Sequence, residues 1–295
     1  MPLQRNVNEA CFMALDDKNW FTEICTECGS AFSLQITGKL HEEETPFQTI
    51  AIYDTIRFGK LMTIDGYTMV SSLDNFLYHE MMSHPAIFTH PDPKRVLIIG
   101  GGDCGTLREV LKHPGIEAAH QVEIDERVTR LAEQYFPELT EANEDPRAEL
   151  MFIDGIQYVA DSAAGSYDVI IIDSTDPIGQ AARLFGTAFY SDCHKLLGDQ
   201  GILVAQSESP LMHPKLIKSM RNNMLEAGFA DVATLPFPQP LYPSGWWSAT
   251  MAGKRTVQDF RAADARDRSF DTNYYTPEIH RGALTLPPML ASAME

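Results

Sequence analysis

The sequence predicts an α/β protein in two parts, a doubly wound, largely parallel sheet from about residue 91 onward and a small antiparallel β unit ahead of it. Three observations carry that prediction. From residue 95, short β-branched runs alternate with helical segments, the pattern of a parallel sheet covered by helices on both faces. Between residues 32 and 72, short β-like pieces are separated only by turn signals, which reads as a set of hairpins. A glycine-rich turn, Gly100, Gly102 and Gly105 in G-x-G-x-x-G, follows the first β-branched run, where such sheets hold a nucleotide against a helix N-terminus.

Taken in order, residues 1–19 form an N-terminal extension without a functional reading, 20–90 the small β domain with a linking helix, and 91–295 the larger domain. The hairpin strands are "FSLQI", "FQTIAIYDT", "GKLMTID" and "YTMVSS", with turns at "FG" and "DG". "NFLYHEMMSHPAIF" has apolar residues at helical spacing and stops before the "THPDPK" loop. The strands of the larger sheet are "RVLIIGG", "AHQVEID", "AELMFID", "DVIIIDS" and "GILVAQS", with helices in most of the gaps, such as "TLREVLKH", "ERVTRLAEQYF" and "TAFYSDCHKLL". After "HPKLIKSMRNNMLEAGF", the segments "DVATLPF" and "WWSATMAGK" read as a closing hairpin across "PQPLYPSG".

Composition narrows the function. The formal charge is -18 over 295 residues, which disfavours nucleic acid and anionic membranes as partners and concentrates cationic ligands. The N-terminus has no uninterrupted apolar run and no later run is as long as a membrane span, so a cytoplasmic enzyme is expected. The five cysteines are scattered. Cys25 and Cys28 form a lone C-x-x-C with no second pair to complete a zinc site, so two reduced thiols and no metal are expected there.

In open α/β sheets, ligands sit beyond the carboxyl ends of the strands. Each strand here ends in acid: Asp103 after the first, Glu123 and Asp125 after the second, Asp154 after the third, Asp173 and Asp176 after the fourth. A carboxylate about 20 residues past the glycine loop binds ribose hydroxyls, a place Glu123 fills. Asp154 before Gly155 also suits a helix cap, and Asp176 before Pro177 a turn. The glycine loop alone fits a nicotinamide dehydrogenase or an S-adenosylmethionine methyltransferase, but Asp103 inside it would face pyrophosphate in the first and crowd the methionine carboxylate in the second. A nucleoside with a cationic tail, decarboxylated S-adenosylmethionine, removes that repulsion. Asp173 and Asp176, with Asp74 and the "QSES" residues Gln206, Ser207 and Glu208, can build a second, acidic pocket, walled by Tyr78, Tyr242 and Trp246, since aromatic faces attract ammonium groups.

Taken together, "VLIIGGGDCGTLREVLKHP", "VEIDERV", "DVIIIDSTDPIG" with "LFGTAFY", and "LYPSG" resemble the polyamine aminopropyltransferases, most of all the spermidine synthases among them. "WFTEI", "KLHEEETPFQTIAIYDT", "FGKLMTIDG", "DNFLYHEMMSHP" and "YYTPEIHRGAL" extend the resemblance in consistent order from residue 20 to about 285. It implies a Rossmann-like, methyltransferase-type catalytic domain behind a small N-terminal β domain, in a homodimer or homotetramer. By position it implies that Gln48, Tyr78, His79, Gly100, Gly102, Asp103, Glu123, Asp154, Gly155 and Asp173 contact the nucleoside substrate. Within that set Glu123 holds the ribose, Asp154 the adenine amine, and Asp103 and Asp173 the aminopropyl ammonium. Asp176, Tyr242 and Glu208 are the implied amine contacts, and the acidic, aromatic pocket read above adds Asp74 and Trp246.

The resemblance has gaps. Cys104 stands where the family has glycine and brings a side chain that would crowd the loop; Gln180 and Arg183 lie in a segment that usually carries proline and an acid. "SSLDNF" keeps Asp74 but has Leu73 and Asn75 in a stretch that is elsewhere acid-rich. The expected reaction is aminopropyl transfer from decarboxylated S-adenosylmethionine, a co-substrate, to putrescine, with Asp173 as the catalytic base and no cofactor. Cadaverine, agmatine or a longer polyamine are the alternative acceptors. A methyltransferase and a silent polyamine-binding protein are the alternatives outside the family.

Overall fold

Apolar alternation at the N-terminus builds the first sheet. The computed structural model describes residues 15–26, 28–175 and 181–294. In it β1 (Trp20–Cys25), β2 (Ser30–Glu44), β3 (Thr49–Thr55), β4 (Lys60–Ile64) and β5 (Tyr67–Ser71) lie in chain order, every neighbouring pair antiparallel. β1 adds a strand ahead of the hairpins expected over 32–72. β2 runs for 15 residues, far past "FSLQI", with register shifts at Ile36/Gly38 and Lys39/His41 that let so long a strand bend.

The expected helix is present as α1 (Asn75–Thr89), which is buried along almost its whole length and therefore lacks a polar face. Its Glu80 carboxylate accepts the backbone N–H groups of Asn273, Tyr274 and Tyr275, tying the C-terminal segment to the centre of the protein.

Strands and helices then alternate: β6 (Arg95–Gly100), α2 (Gly105–Leu111), β7 (Ala118–Glu123), α3 (Glu126–Tyr135), β8 (Ala148–Phe152), α4 (Gly155–Asp161), β9 (Tyr167–Asp173), α5 (Thr187–Leu196), β10 (Leu197–Gln206) and α6 (Pro214–Glu226). The hairpin β11 (Asp231–Pro238) and β12 (Trp246–Gly253) closes a seven-stranded sheet in the order β11-β12-β10-β9-β6-β7-β8. β10, β9, β6, β7 and β8 are parallel, and β12 is antiparallel to both neighbours. Short helices α7 (Ala262–Arg266), α8 (Pro277–Ala283) and α9 (Pro288–Met294) follow. No helix among the described residues is long and apolar enough to cross a membrane.

Strand alternation divides the core. Val96, Ile98, Val169 and Ile171 pack with Met81, Met82 and Leu107 on one face. Leu97, Ile99, Ile170 and Ile172 pack with Phe189, Tyr190 and Met220 on the other. Residues that neighbour each other in one strand thus serve opposite layers, so the runs read as continuously apolar. The small sheet is seated through Ile50, Ile52, Met62 and Ile64 against Val128, Leu131 and Phe136, which sets its strands beside the carboxyl ends of the large sheet.

His280 is buried at this C-terminal seam, stacked on Phe260 and bonded to the Tyr275 hydroxyl at 3.0 Å. Burial, and secondarily the charge of Arg281, push its pKa down to about 3. The unfolded imidazole binds a proton below about pH 6.5 whereas the folded one does not, so the unfolded state gains protons and stability falls as pH drops. Relative to a His280→Asn variant, the native chain should lose about 1.4 kcal/mol per pH unit between pH 6.5 and 4.5, read as diverging urea midpoints. The His280 ring should stay neutral through that range in an NMR titration.

Candidate active site

Parallel pairing puts the ends of β6 and β9 side by side, with Gly100 opposite Asp173. Gly100 has φ 83°, and a Cβ there would lie 2.1 Å from the Asp173 carbonyl oxygen. The Gly101 N–H donates to that same oxygen at 2.7 Å. The third glycine of the motif, Gly105, answers to a different neighbour, because a Cβ on it would lie 2.2 Å from the His79 ring. The strand ends open into a cleft of about 520 Å³. Gln48, Tyr78, Gly100, Gly102, Asp103, Glu123, Asp154, Gly155 and Asp173 all line it.

Asp173 is gripped at both oxygens. The Tyr78 hydroxyl donates to Oδ1 at 2.7 Å and the Thr106 hydroxyl to Oδ2 at 2.6 Å. Even so its pKa lies above the usual carboxylate range, because burial and then the charge of Asp103 disfavour its ionised form. Asp103 goes the other way. Burial works against its charge, but His79 Nε2 at 3.1 Å and the Gly105 N–H at 2.8 Å hold it below the usual range. Burial disfavours the His79 cation, and the attraction of Asp103 outweighs that and raises its pKa. His79 is buried behind Asp103 and does not line the cleft, so the structure makes it a support for Asp103 in place of the expected nucleoside contact.

Glu123 ends β7, and burial, with Asp125 nearby, lifts its pKa to about 7. Gln48 donates to Asp125 Oδ2 at 3.0 Å, which fixes its side chain at the edge of the cleft. Asp154 serves two purposes: it caps α4 by accepting the Ile156 N–H at 2.8 Å, and it faces the cleft.

A narrow cavity of about 40 Å³ is lined by Glu23, Tyr78, Ser174, Gln206, Tyr242 and Trp247, and shares Tyr67, Met69, Tyr78, Ser174, Thr175 and Tyr242 with the large cleft. Tyr242 takes the wall position expected of it, held by its hydroxyl on the Met69 carbonyl at 2.7 Å. Its ring meets Tyr78 and Trp247 edge-on.

Several expected contacts are corrected here. Trp247, and not Trp246, lines the cavity, as adjacent residues of a strand face opposite sides of the sheet. Asp74 lines neither cavity: its oxygens accept the Ser71 hydroxyl at 2.6 Å and the Leu241 N–H at 2.9 Å, so it latches the Tyr242 loop to the start of α1. Glu208 is buried outside the cavity lining and pairs with His213. Asp176 and Gln180 lie outside the described residues. Asn75 donates to the carbonyls of Ser71 and Ser72 and so secures the turn before α1. Cys104 does not crowd the loop. It takes φ 67° and buries its thiol toward Gln121, clear of the cleft.

The pattern missed Thr106 and Glu23. Glu23 had a signal in "WFTEIC", where the acid occupies the same inward phase as Phe21 while Ile24 is 67% exposed. Its Oε2 accepts the N–H and hydroxyl of Thr68, both at 2.8 Å, and burial raises its pKa. Among the described residues, no cluster of His, Cys, Asp and Glu suits a metal ion.

Residues 75–262 match the spermine/spermidine synthase domain, and 19–71 the spermidine synthase tetramerisation domain. The chain belongs to the spermine/spermidine synthase family. Curated relatives bear this out. A polyamine aminopropyltransferase of Nitrosococcus oceani is 61% identical over 96% of this chain and 99% of its own length. One of Methylococcus capsulatus is 62% identical over 95% and 98%. Among solved structures, a spermidine synthase in complex with the transition state analogue AdoDATO gives a TM-score of 0.90 at 35% identity, covering 93% of this chain and 94% of that one. The spermidine synthase of Thermotoga maritima gives 0.89 at 34%, covering 95% of each. The Rossmann-like sheet and antiparallel N-terminal sheet are thus the family's fold, and the enzyme is a polyamine aminopropyltransferase.

Thr106 offers a direct test of how Asp173 is held. Its hydroxyl bonds to the ionised carboxylate and lowers the pKa, so Thr106→Val should raise it further. The acidic limb of the kcat/KM profile should move to higher pH, and the rate on that limb should fall about tenfold, the worth of about 1.4 kcal/mol. Thr106→Ser should restore both.

Proposed function

We propose that the enzyme transfers the 3-aminopropyl group of decarboxylated S-adenosylmethionine to putrescine, giving spermidine and methylthioadenosine. The observation that carries this reading is the position of Asp173, on the large cleft and next in sequence to Ser174, which lines both that cleft and the narrow cavity. The cleft is sized for a nucleoside, and the cavity is walled by aromatic rings and has Glu23 in its lining.

In this reading Glu123 accepts the ribose hydroxyls and Asp154 the adenine amine, while Asp103 and Asp173 face the aminopropyl ammonium. The second amine lies among Tyr78, Tyr242 and Trp247, with its far ammonium directed to Glu23. The sulfonium is already a good leaving group, so the chemistry needs neither a metal nor a covalent intermediate. The amine nitrogen attacks the carbon attached to sulfur, the C–N bond forms as the C–S bond breaks, and the electron pair leaves on methylthioadenosine.

The larger demand is a neutral nucleophile. An alkylamine of pKa about 10.4 costs about 4.6 kcal/mol to neutralise at pH 7. Desolvation in the narrow cavity favours the neutral amine, and Asp173, already raised by burial, takes the proton. Glu23 stabilises the ammonium that must stay charged, so the two ends of one diamine meet different environments. We also infer a homo-oligomer, with a tetramer favoured by the match of residues 19–71 to a tetramerisation domain.

The experiment supplies decarboxylated S-adenosylmethionine with putrescine, cadaverine, agmatine or spermidine separately and measures methylthioadenosine and the amine product. Putrescine-dependent spermidine is the expected result. Product only with another amine would overturn the acceptor assignment, and no product with any of them the reaction. Asp173→Asn should lower kcat at least about 100-fold with little loss of methylthioadenosine affinity, whereas Glu23→Gln should act mainly by raising the KM for the amine.

A further inference from the structure

Beside the acceptor cavity, a thiol from the N-terminal sheet meets an imidazole and a carboxylate that lie five residues apart after β10. Cys28, in the turn between β1 and β2, has its Sγ 3.5 Å from His213 Nε2. The other ring nitrogen, Nδ1, lies 3.2 Å from a Glu208 carboxylate oxygen. Cys28 also donates its backbone N–H to Cys25 Sγ at 3.2 Å. Thiol next to imidazole next to carboxylate is the order that activates a nucleophile, and the transfer reaction has no use for it. Glu208 is buried and holds φ 64°, a backbone position of the kind kept where a side chain must be aimed. Cys25 and Cys28 are partly exposed, while Cys104 and Cys193 are buried.

We propose that Cys28 is a modification site for low-molecular-weight disulfides, with His213 as its base, Glu208 as the group that orients the imidazole, and Cys25 as the resolving thiol. With the Glu208 carboxylate 3.2 Å from Nδ1, the His213 ring is held so that Nε2 faces the Cys28 thiol and accepts its proton. The thiolate attacks one sulfur of R–S–S–R; a new S–S bond forms, the old one breaks, and the departing thiolate takes the proton from His213 as RSH. Cys25, steadied by the Cys28 N–H, then attacks the Cys28 sulfur and its own proton leaves with the second RSH. Two protein thiols and one disulfide become a Cys25–Cys28 disulfide and two thiols.

A consequence for turnover rests on the acceptor reading above. Glu23 precedes Cys25 by two residues on β1, Gln206 precedes Glu208 by two, and both line the narrow cavity. Closing the disulfide removes the thiol from His213 and reshapes the strand end carrying Glu23, so the KM for the amine rises while methylthioadenosine affinity stays.

The test treats the full chain with glutathione disulfide at pH 7 and maps peptides by mass spectrometry. The native protein should lose two hydrogens across the Cys25–Cys28 peptide, reversibly with dithiothreitol, with Cys104 and Cys193 untouched. Cys25→Ser should retain one glutathione on Cys28, and His213→Asn should react at Cys28 at least about tenfold more slowly, as expected when the thiolate loses its partner. No modification at Cys28, or a His213→Asn variant that reacts as fast as native, overturns the proposal. A stable glutathione adduct on native Cys28 overturns the resolving role of Cys25. These readouts need no amine, so a disulfide that forms but changes methylthioadenosine affinity in place of the amine KM counts against the acceptor reading alone.

Discussion

Gly101 donates its backbone N–H to the Asp173 carbonyl at 2.7 Å, and the chain at Gly100 runs so close that a single added methyl would meet that oxygen at 2.1 Å. Much of the site follows from this contact. It joins the end of β6 to the end of β9, so the glycine loop and the carboxylate from a strand 73 positions later become one surface. It lets α2 begin where Thr106 can reach Asp173 and Asp103 can reach His79. A parallel sheet brings such ends together but leaves them several ångströms apart, and glycine closes the remaining gap.

That closeness has an electrostatic cost. Asp103 and Asp173 raise each other's resistance to ionisation, and burial adds to it. The protein resolves the conflict unequally: His79 and the Gly105 N–H secure the charge of Asp103, and Asp173 is left with the raised pKa. One carboxylate is thereby held in its charged form more firmly than the other. The excess of acid over the whole chain, -18 in formal charge, points the same way, toward cationic substrates. Glu123, at about 7, is the third member of the set and is set by burial more than by any neighbour.

The small N-terminal sheet contributes to the site as well as to the core. By packing Ile50, Ile52 and Met62 on the surface of α3, it carries Gln48, Tyr67 and Glu23 to the carboxyl edge of the large sheet. The narrow cavity is therefore assembled from β1, β5, α1, β10 and β12, and none of these alone has its shape. Asp74 belongs to that assembly: its two hydrogen bonds hold the Leu241–Tyr242 loop against the start of α1.

The order of strands and helices, the glycine turn and the rim of acids were legible in the sequence because each depends on local spacing. Period two, period 3.6 and the step from strand to helix at Gly100–Gly105 are properties of neighbouring residues. So Asp103, Glu123, Asp154 and Asp173 could be placed on the cleft from their positions at strand ends. What local spacing could not decide was the direction and pairing of side chains. Trp246 and Trp247 are equivalent as sequence, and only the facing of β12 selects Trp247. Asp74, Glu208 and His79 look like ligands until partners elsewhere in the chain, Leu241, His213 and Asp103, use their polar atoms. Glu23 shares the inward phase of Phe21, but only its contact with Thr68 on β5 shows what covers it. Local spacing was enough to specify the layered sheet and where its charge collects. The tertiary structure alone decided which of those charges stay open to a substrate, because satisfying a buried polar group is a matter of contacts made across the whole chain.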